Sequence, residues 1–283
     1  MKYGLILEGG GMRGAFTAGV LDVFAEEGIS FDYACGVSAG AGTLCNYISG
    51  QEGRSIEAML CPRGSSYYGI REFFRSGKFL NLDKLYGEII YEDPAFDFDA
   101  YFANTTEVET VATNCETGKA EYLKDDKTIE SFCSVAKATC ALPIISRPTE
   151  VKGKFYMDGS VSDPIPYQRA FDKGCDRIIF LSTKGDKMNP SNLKKYTWFM
   201  KIIYPSKFLP FIEAVKVRIP LLYEQYERVD ELCEEGKIMM LHPSGDVNVG
   251  HMEKNREKIR ALYDEGKAKA KEMLPQIKKF MSE

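Results

Sequence analysis

Twice in its first fifty residues the chain runs an apolar segment into glycines and small residues, then resumes at helical spacing. Lys2 to Glu8 reads as a short buried strand that stops at Gly9, Gly10 and Gly11. From Met12 to Glu27 the apolar residues Phe16, Val20, Val23 and Phe24 recur at helical spacing, and Gly28 ends the run. Phe31 to Val37 is a second strand and Ala39 to Ile48 a small-residue helix ending near Gly50, so Ser38 falls on a strand-to-helix turn. This βαβ pattern implies a parallel sheet covered by helices.

The alternation persists to about residue 185. Glu107 to Thr113 and Lys119 to Leu123 form a hairpin across Glu116-Thr117-Gly118, and a helix runs from Thr128 to Thr139. A short strand, Lys154 to Met157, leads into Asp158-Gly159-Ser160; Pro164 to Asp172 is helical and Arg177 to Ser182 a strand. Between them, Gln51 to Thr106 offers short helical pieces and an acidic loop at Glu92 to Asp99, to which no function is assigned. Beyond, residues 191 to 235 are helical and rich in aromatics. Lys237 to Leu241 is a last strand, and His251 to Phe280 is a charged amphipathic helix with Ile259, Leu262 and Tyr263 on its apolar face. With no repeats and no linker, one domain is expected over residues 1–283, an α/β core to about 185 and a helix-rich elaboration over 186–283.

Composition excludes several classes. Of 283 residues 44% are apolar and 28% charged, the balance of an ordinary globular chain rather than a disordered one. Thirty-seven basic against 41 acidic residues leave a net charge of -4, which argues against nucleic acid as a partner. Eight cysteines without a C-x-x-C pair and two histidines give no zinc pattern, so no metal and no cofactor are expected. No secretory leader and no membrane-spanning run is readable, and the expected address is the reducing cytoplasm.

Three short motifs carry chemistry. Gly36-Val37-Ser38-Ala39-Gly40 fits G-x-S-x-G in its proper context, a turn so tight that Gly36 and Gly40 must be small, which pushes the serine hydroxyl out over a helix N-terminus. Gly9-Gly10-Gly11-Met12-Arg13-Gly14 leaves backbone N–H groups free to face an anion, with Arg13 adding positive charge. The same letters fit a dinucleotide loop at Gly9, Gly11 and Gly14, but the acid that would hold a ribose is missing from the end of the second strand, Asp32 lying at its start. The third motif is Asp158-Gly159-Ser160, where an aspartate between an apolar strand and a glycine turn can be desolvated into a better proton acceptor. A Ser-Asp-His order is formally open with His242 or His251, but capping or surface roles suit both histidines better, and a mechanism without histidine is preferred.

In their order along the chain, glycine loop, serine elbow and aspartate turn, the three motifs resemble the patatin-like phospholipase family. Ala141-Leu142-Pro143 before the aspartate and Asp163-Pro164-Ile165-Pro166 after it resemble bacterial members. The resemblance spans residues 4 to about 185 and implies a three-layer α/β/α sandwich with a mainly parallel central sheet. It implies a Ser-Asp dyad, with Ser38 the nucleophile, Asp158 its direct proton acceptor, and the amides of Gly10, Gly11 and Met12, helped by Arg13, holding the oxyanion. Ser160 departs from the family's usual glycine or alanine and could hydrogen-bond Asp158, lowering its basicity.

The stretch Lys194 to Arg218 interleaves Trp198, Phe199, Tyr204, Phe208 and Phe211 with lysines. It is expected to cover an acyl site or to touch an anionic membrane surface peripherally. The resulting expectation is a serine hydrolase of lipid acyl esters, phospholipase A-like or lysophospholipase-like. The alternatives are a non-catalytic lipid-binding protein on the same fold and an acyltransferase using an acceptor other than water.

Overall fold

A computed structural model describes residues 1–61, 66–92, 94–185 and 192–282. Asp93 of the acidic loop and Ser191, where the aromatic stretch begins, lie outside the described residues.

The first two apolar runs form β1 (Tyr3–Leu7) and β2 (Tyr33–Val37), each followed by its helix, α1 (Gly14–Glu26) and α2 (Ala39–Ile48). Four short helices follow: α3 (Arg54–Leu60), α4 (Ile70–Ser76), α5 (Leu82–Gly87) and α6 (Phe98–Ala103). The α/β alternation then resumes with the hairpin β3 (Glu107–Asn114) and β4 (Ala120–Leu123). After these come α7 (Ile129–Cys140), β5 (Thr149–Val151), β6 (Lys154–Asp158), α8 (Tyr167–Asp172) and β7 (Arg177–Leu181). The last third holds α9 (Thr197–Ile203), the long α10 (Leu209–Glu234), β8 (Ile238–Leu241) and α11 (Arg256–Phe280). Among the described residues eight strands make one sheet, hydrogen-bonded in the order β5-β6-β3-β2-β1-β7-β8 with β4 on β3. β1, β2, β3, β7 and β8 run parallel, β4 and β6 pair antiparallel with β3, and β5 pairs antiparallel with β6.

Alternation along the parallel strands sorts the core into two layers. Leu5, Leu7, Ile179 and Leu181 face one side, against Phe16, Val20 and Val23 of α1 and Ile259 and Leu262 of α11. Ile6, Ile178 and Phe180 face the other, against Ala170 of α8 and Leu222, Tyr226 and Val229 of α10. Helices on both faces of a mainly parallel sheet give the expected three layers. α1 and α11 meet through glycines: a Cβ on Gly19 would lie 2.1 Å from the Tyr263 carbonyl, and one on Gly266 2.1 Å from that of Phe16.

The register of β3 positions the site. Thr110 and Val111 pair with both β2 and β4, and Ala112 and Thr113 with both β4 and β6. A strand residue has only two edges, so β2 and β6 lie end to end along the same edge of β3. Val37 pairs with Val111 and Asp158 with Ala112, which brings the carboxyl end of β6 against the carboxyl end of β2. Two segments 120 residues apart in sequence (158 less 38) thus deliver Asp158 beside Ser38.

Candidate active site

Ser38 leaves β2 with φ 54° and ψ −127°, a conformation that a residue bearing a Cβ adopts only when its surroundings impose it, at a cost of about 1–3 kcal/mol. Several contacts impose it here. The Ser38 N–H donates to Thr139 Oγ1 at 2.9 Å, and the Ser38 carbonyl accepts from the Ala41 N–H at 3.0 Å to start α2. Gly36 has no room for a side chain, since a Cβ would lie 2.5 Å from Ala41 Cα. At Gly40 it would lie 2.6 Å from the Glu8 carbonyl oxygen. Gly40 is therefore where the turn rests on the end of β1.

The glycine loop lies over the same turn. A Cβ on Gly9 would meet Ser38 Cβ at 2.9 Å, and Gly11, at φ 58°, packs against the His251 carbonyl. No acceptor among the described residues takes the Gly10 or Gly11 N–H. Met12 differs from the expectation: its N–H donates to the His251 carbonyl at 3.0 Å, so that amide is already engaged and cannot face an oxyanion. Arg13 turns its guanidinium onto the loop and its support, donating from Nε to the Gly10 carbonyl at 3.4 Å and lying 2.8 Å from His251 Nε2. Behind the loop, buried Glu8 accepts from the Thr183 N–H at 3.0 Å and the Tyr226 hydroxyl at 2.8 Å and pairs directly with Lys184.

Asp158 is 0% exposed. Its Oδ1 accepts from the Ser160 N–H at 2.9 Å, while Oδ2 is buried without a hydrogen-bond partner among the described residues. Burial raises its pKa above the ordinary carboxylate range, and the Ser38 hydroxyl, Ser160 and the Arg218 guanidinium pull it back only in part. The expected damping by Ser160 is present but is outweighed by desolvation. Gly159 fits because a Cβ there would lie 2.2 Å from the Val111 carbonyl oxygen.

Ser38, Gly10, Gly11, Met12 and Arg13 line one cavity of about 280 Å³, joined by Arg218, Lys184, His251 and Cys140. Asp158 sits behind its wall, and Gly36 and Gly40 shape the turn beneath. Arg218 donates from Nε to the Ser160 carbonyl at 2.9 Å, next to the aspartate. Burial against the loop, then the charges of Arg13, Lys184 and Arg218, push the His251 pKa down, although the residue as a whole keeps an exposed surface. Burial and Arg218 also lower the Lys184 pKa, while its ion pair with Glu8 works the other way. His242 lies away from the cavity, its ring on the Pro243 carbonyl.

Two expectations about the walls are corrected. Of Lys194 to Arg218 only Arg218 lines the cavity, so this stretch is not the acyl cover. Buried Met200, Phe208 and Phe211 pack behind the cavity wall, in one apolar cluster with Leu80 and Leu82, and Trp198 and Ile202 face outward at 65% and 71% exposure. The apolar wall comes instead from the segment to which no function was assigned, through Leu80, Leu82, Leu85, Tyr86, Ile90 and Phe96. Among the described residues no grouping of three or more His, Cys, Asp or Glu suits a metal ion, and no helix is long and apolar enough to cross a membrane.

Comparison with known proteins places this geometry in context. A family model described as patatin-like phospholipase matches residues 5–171, and one described as a domain of unknown function (DUF6363) matches residues 209–282. The uncharacterized protein YjjU of Escherichia coli (strain K12) is 30% identical over 206 residues, which are 66% of this chain and 53% of that protein. The chain thus spans about half the length of that curated relative. The crystal structure of VipD from Legionella pneumophila superposes with a TM-score of 0.52 at 14% identity, over 97% of this chain and 67% of that one, a likeness of fold.

Proposed function

The chain belongs to the patatin-like phospholipase family, and on that premise we propose that it is a serine acyl hydrolase of lipid esters, working through Ser38 and Asp158 with the glycine loop as oxyanion hole. The family itself suggests lipid acyl hydrolase activity and a lipid substrate. One observation carries the finer reading: the buried Oδ2 of Asp158 has no hydrogen-bond partner among the described residues, and the hydroxyl that bears most on that carboxyl is Ser38's.

In this mechanism Ser38 Oγ attacks the ester carbonyl carbon and its proton passes to Asp158, which burial has made a stronger base than a surface carboxylate. The carbonyl oxygen, now an oxyanion, accepts from the Gly10 and Gly11 N–H groups; Arg13 adds charge from behind, and Met12 takes no part. Collapse of the tetrahedral intermediate breaks the ester C–O bond, and Asp158 returns its proton to the departing alcohol. Water then attacks the acyl-enzyme, giving its proton to Asp158, and Ser38 leaves reprotonated with release of the free acid. The elbow strain at Ser38 holds the hydroxyl in place throughout, so little reorganisation is needed as charge develops.

We treat the chain as one folding unit, since α11 is locked onto α1 through Gly19 and Gly266. The outward Trp198 and Ile202, beside Lys194, Lys195 and Lys201, suit peripheral contact with an anionic lipid surface, and eight free thiols suit a reducing cytoplasm. The test is labelling by a fluorophosphonate, which reports an activated serine without knowledge of the substrate, together with hydrolysis of lipid esters. Labelling and turnover are expected in the wild-type protein and absent in Ser38→Ala. Folded protein that stays unlabelled in the presence of lipid overturns the reading in favour of a non-catalytic lipid-binding role, and transfer to an added alcohol that outpaces hydrolysis replaces it with an acyltransferase.

A further inference from the structure

The cavity that begins at Ser38 runs along α2 as far as Asn46, and Met59, Leu82, Leu85, Phe132 and Ala136 give it apolar walls. There Asn46, Arg54 and Ser55 line it, each nine-tenths buried or more. Arg54 Nη1 donates to Asn46 Oδ1 at 2.7 Å, and Asn46 Nδ2 to Ser55 Oγ at 2.7 Å. Nη2 reaches the Ile90 carbonyl at a long 3.4 Å, and Nε is buried with no partner among the described residues. Phe96 lies under the guanidinium, 5.2 Å from its carbon to the ring centroid, and fixes its plane. Asp125 lines the same end, but its carboxylate is taken by the Tyr101 hydroxyl at 3.0 Å and the Lys127 N–H at 2.8 Å and makes no ion pair with Arg54.

A guanidinium buried without a carboxylate partner is unusual, because taking such a charge out of water is costly unless an anion balances it. Burial draws the Arg54 pKa down to about 10, which still leaves the group a cation at neutral pH. Its planar fork of donors suits a carboxylate or a phosphate far better than a neutral chain end.

We infer that Arg54 is the recognition site for an anionic group at the far end of the acyl chain, so that the preferred substrates are esters of medium-length acids carrying a terminal carboxylate or phosphate. This rests on the reading of Ser38 as the nucleophile. Asn46 follows Ser38 by eight residues along α2, a distance of about 12 Å at 1.5 Å per residue. A chain of single bonds extends by about 1.2 Å per bond, a third of the peptide repeat of about 3.6 Å, so the span corresponds to about ten bonds. The acyl chain lies along the apolar walls with its ester at Ser38 and its terminal anion on Arg54.

Calorimetric binding to Ser38→Ala protein at neutral pH separates this inference from the catalytic reading. The probes are the monomethyl ester of the ten-carbon dicarboxylic acid, the corresponding ω-phosphorylated methyl ester and neutral methyl decanoate. One or both anionic esters are expected to bind at least about tenfold more tightly than the neutral one, the strength of a charged hydrogen-bonded contact, and which of the two does so identifies the anion. Adding Arg54→Met should abolish the preference, and Arg54→Lys, which keeps the charge without the fork, should restore part of it. Equal binding of all three esters to Ser38→Ala protein overturns the inference without reliance on an Arg54 variant that folds, and failure of all three to bind overturns it too. Wild-type protein that shows the preference but hydrolyses none of the esters overturns the catalytic reading alone.

Discussion

Asp158→Asn should stabilise the protein while removing its activity. The native carboxyl is 0% exposed, with Oδ1 held by the Ser160 N–H and Oδ2 unpartnered among the described residues. Burial lifts its pKa above the ordinary value, and Ser38, Ser160 and Arg218 do not cancel the effect. A carboxyl whose folded pKa exceeds its unfolded one favours folding below the unfolded value, and that contribution is lost as pH rises through the folded value. As pH rises, then, ionising Asp158 is a cost to the native state. Asparagine keeps the Oδ1 acceptor and carries no charge. What it removes is the desolvation of a buried charge, about 1–3 kcal/mol or more, and each 1 kcal/mol moves Tm by about 2–4 °C in a chain of a few hundred residues. The variant should melt about 2–12 °C above the wild type at pH 8 by these figures, with the gain shrinking toward pH 4 as the native carboxyl takes up its proton.

Loss of the proton acceptor should lower ester turnover by about 10²–10⁴-fold, the contribution of a positioned general base. Scanning calorimetry at the two pH values and ester hydrolysis at the higher one read both effects on one sample. Melting below the wild type at pH 8, or a gain that grows toward acid, refutes the desolvation argument. Unchanged turnover refutes Asp158 as the base.

Other perturbations probe the support around Ser38 and Asp158. His251→Ala removes the ring on Arg13 but keeps the carbonyl that holds Met12, so kcat should stay within about tenfold of the wild type. With its pKa pushed down by burial and three cations, His251 should also give the pH–rate profile no limb near the ordinary histidine value; a loss of about 10³ would put the imidazole into the chemistry. Thr139→Val orphans the Ser38 N–H, and a loss of about 1–3 kcal/mol in denaturant unfolding with slower fluorophosphonate labelling is expected; unaltered labelling would show that the elbow holds without it. Glu8→Ala leaves Lys184 buried without its carboxylate and should cost about 3–5 kcal/mol. A loss below about 1 kcal/mol would mean that Lys184 escapes to water.

The parts of the site that could be read from sequence are those where one backbone contact admits one residue. At Gly36, Gly40 and Gly159 a Cβ would lie 2.5, 2.6 and 2.2 Å from backbone atoms, so the requirement is met by glycine or not at all and marks a single position. The parallel strands were legible for a related reason, since burial on both faces leaves near-continuous apolar runs. The cavity's apolar wall leaves no such mark. Leu82, Leu85, Tyr86 and Phe96 could each be another apolar residue of similar volume, and they sit on or beside helices such as α5, six residues long, too short for a period to stand out. Lys194 to Arg218 misled in the opposite way, because its aromatics and lysines have the spacing of a cover, but Met200, Phe208 and Phe211 are buried behind the wall, in one cluster with Leu80 and Leu82, and do not reach the cavity.

Met12 shows a different limit, since whether its amide is free depends on a carbonyl near the other end of the chain. The glycine loop is fixed from behind by the segment between β8 and α11: the His251 carbonyl takes the Met12 N–H and packs on Gly11, and its ring meets Arg13. On the aspartate side, α10 supplies Arg218 to the Ser160 carbonyl. The patatin-like match ends at residue 171 and both of these contacts come from the region matched as a domain of unknown function. That region therefore supports the loop and the aspartate turn directly, through single residues that no local pattern announces. A glycine loop whose Gly10 and Gly11 N–H groups find no acceptor among the described residues must be fixed by its other contacts, and the hydrogen bond from Met12 and the packing at Gly11 join the Thr183 hydroxyl on the Gly9 carbonyl in fixing it. The motifs specify which backbone can form; the C-terminal region adds contacts that keep it formed.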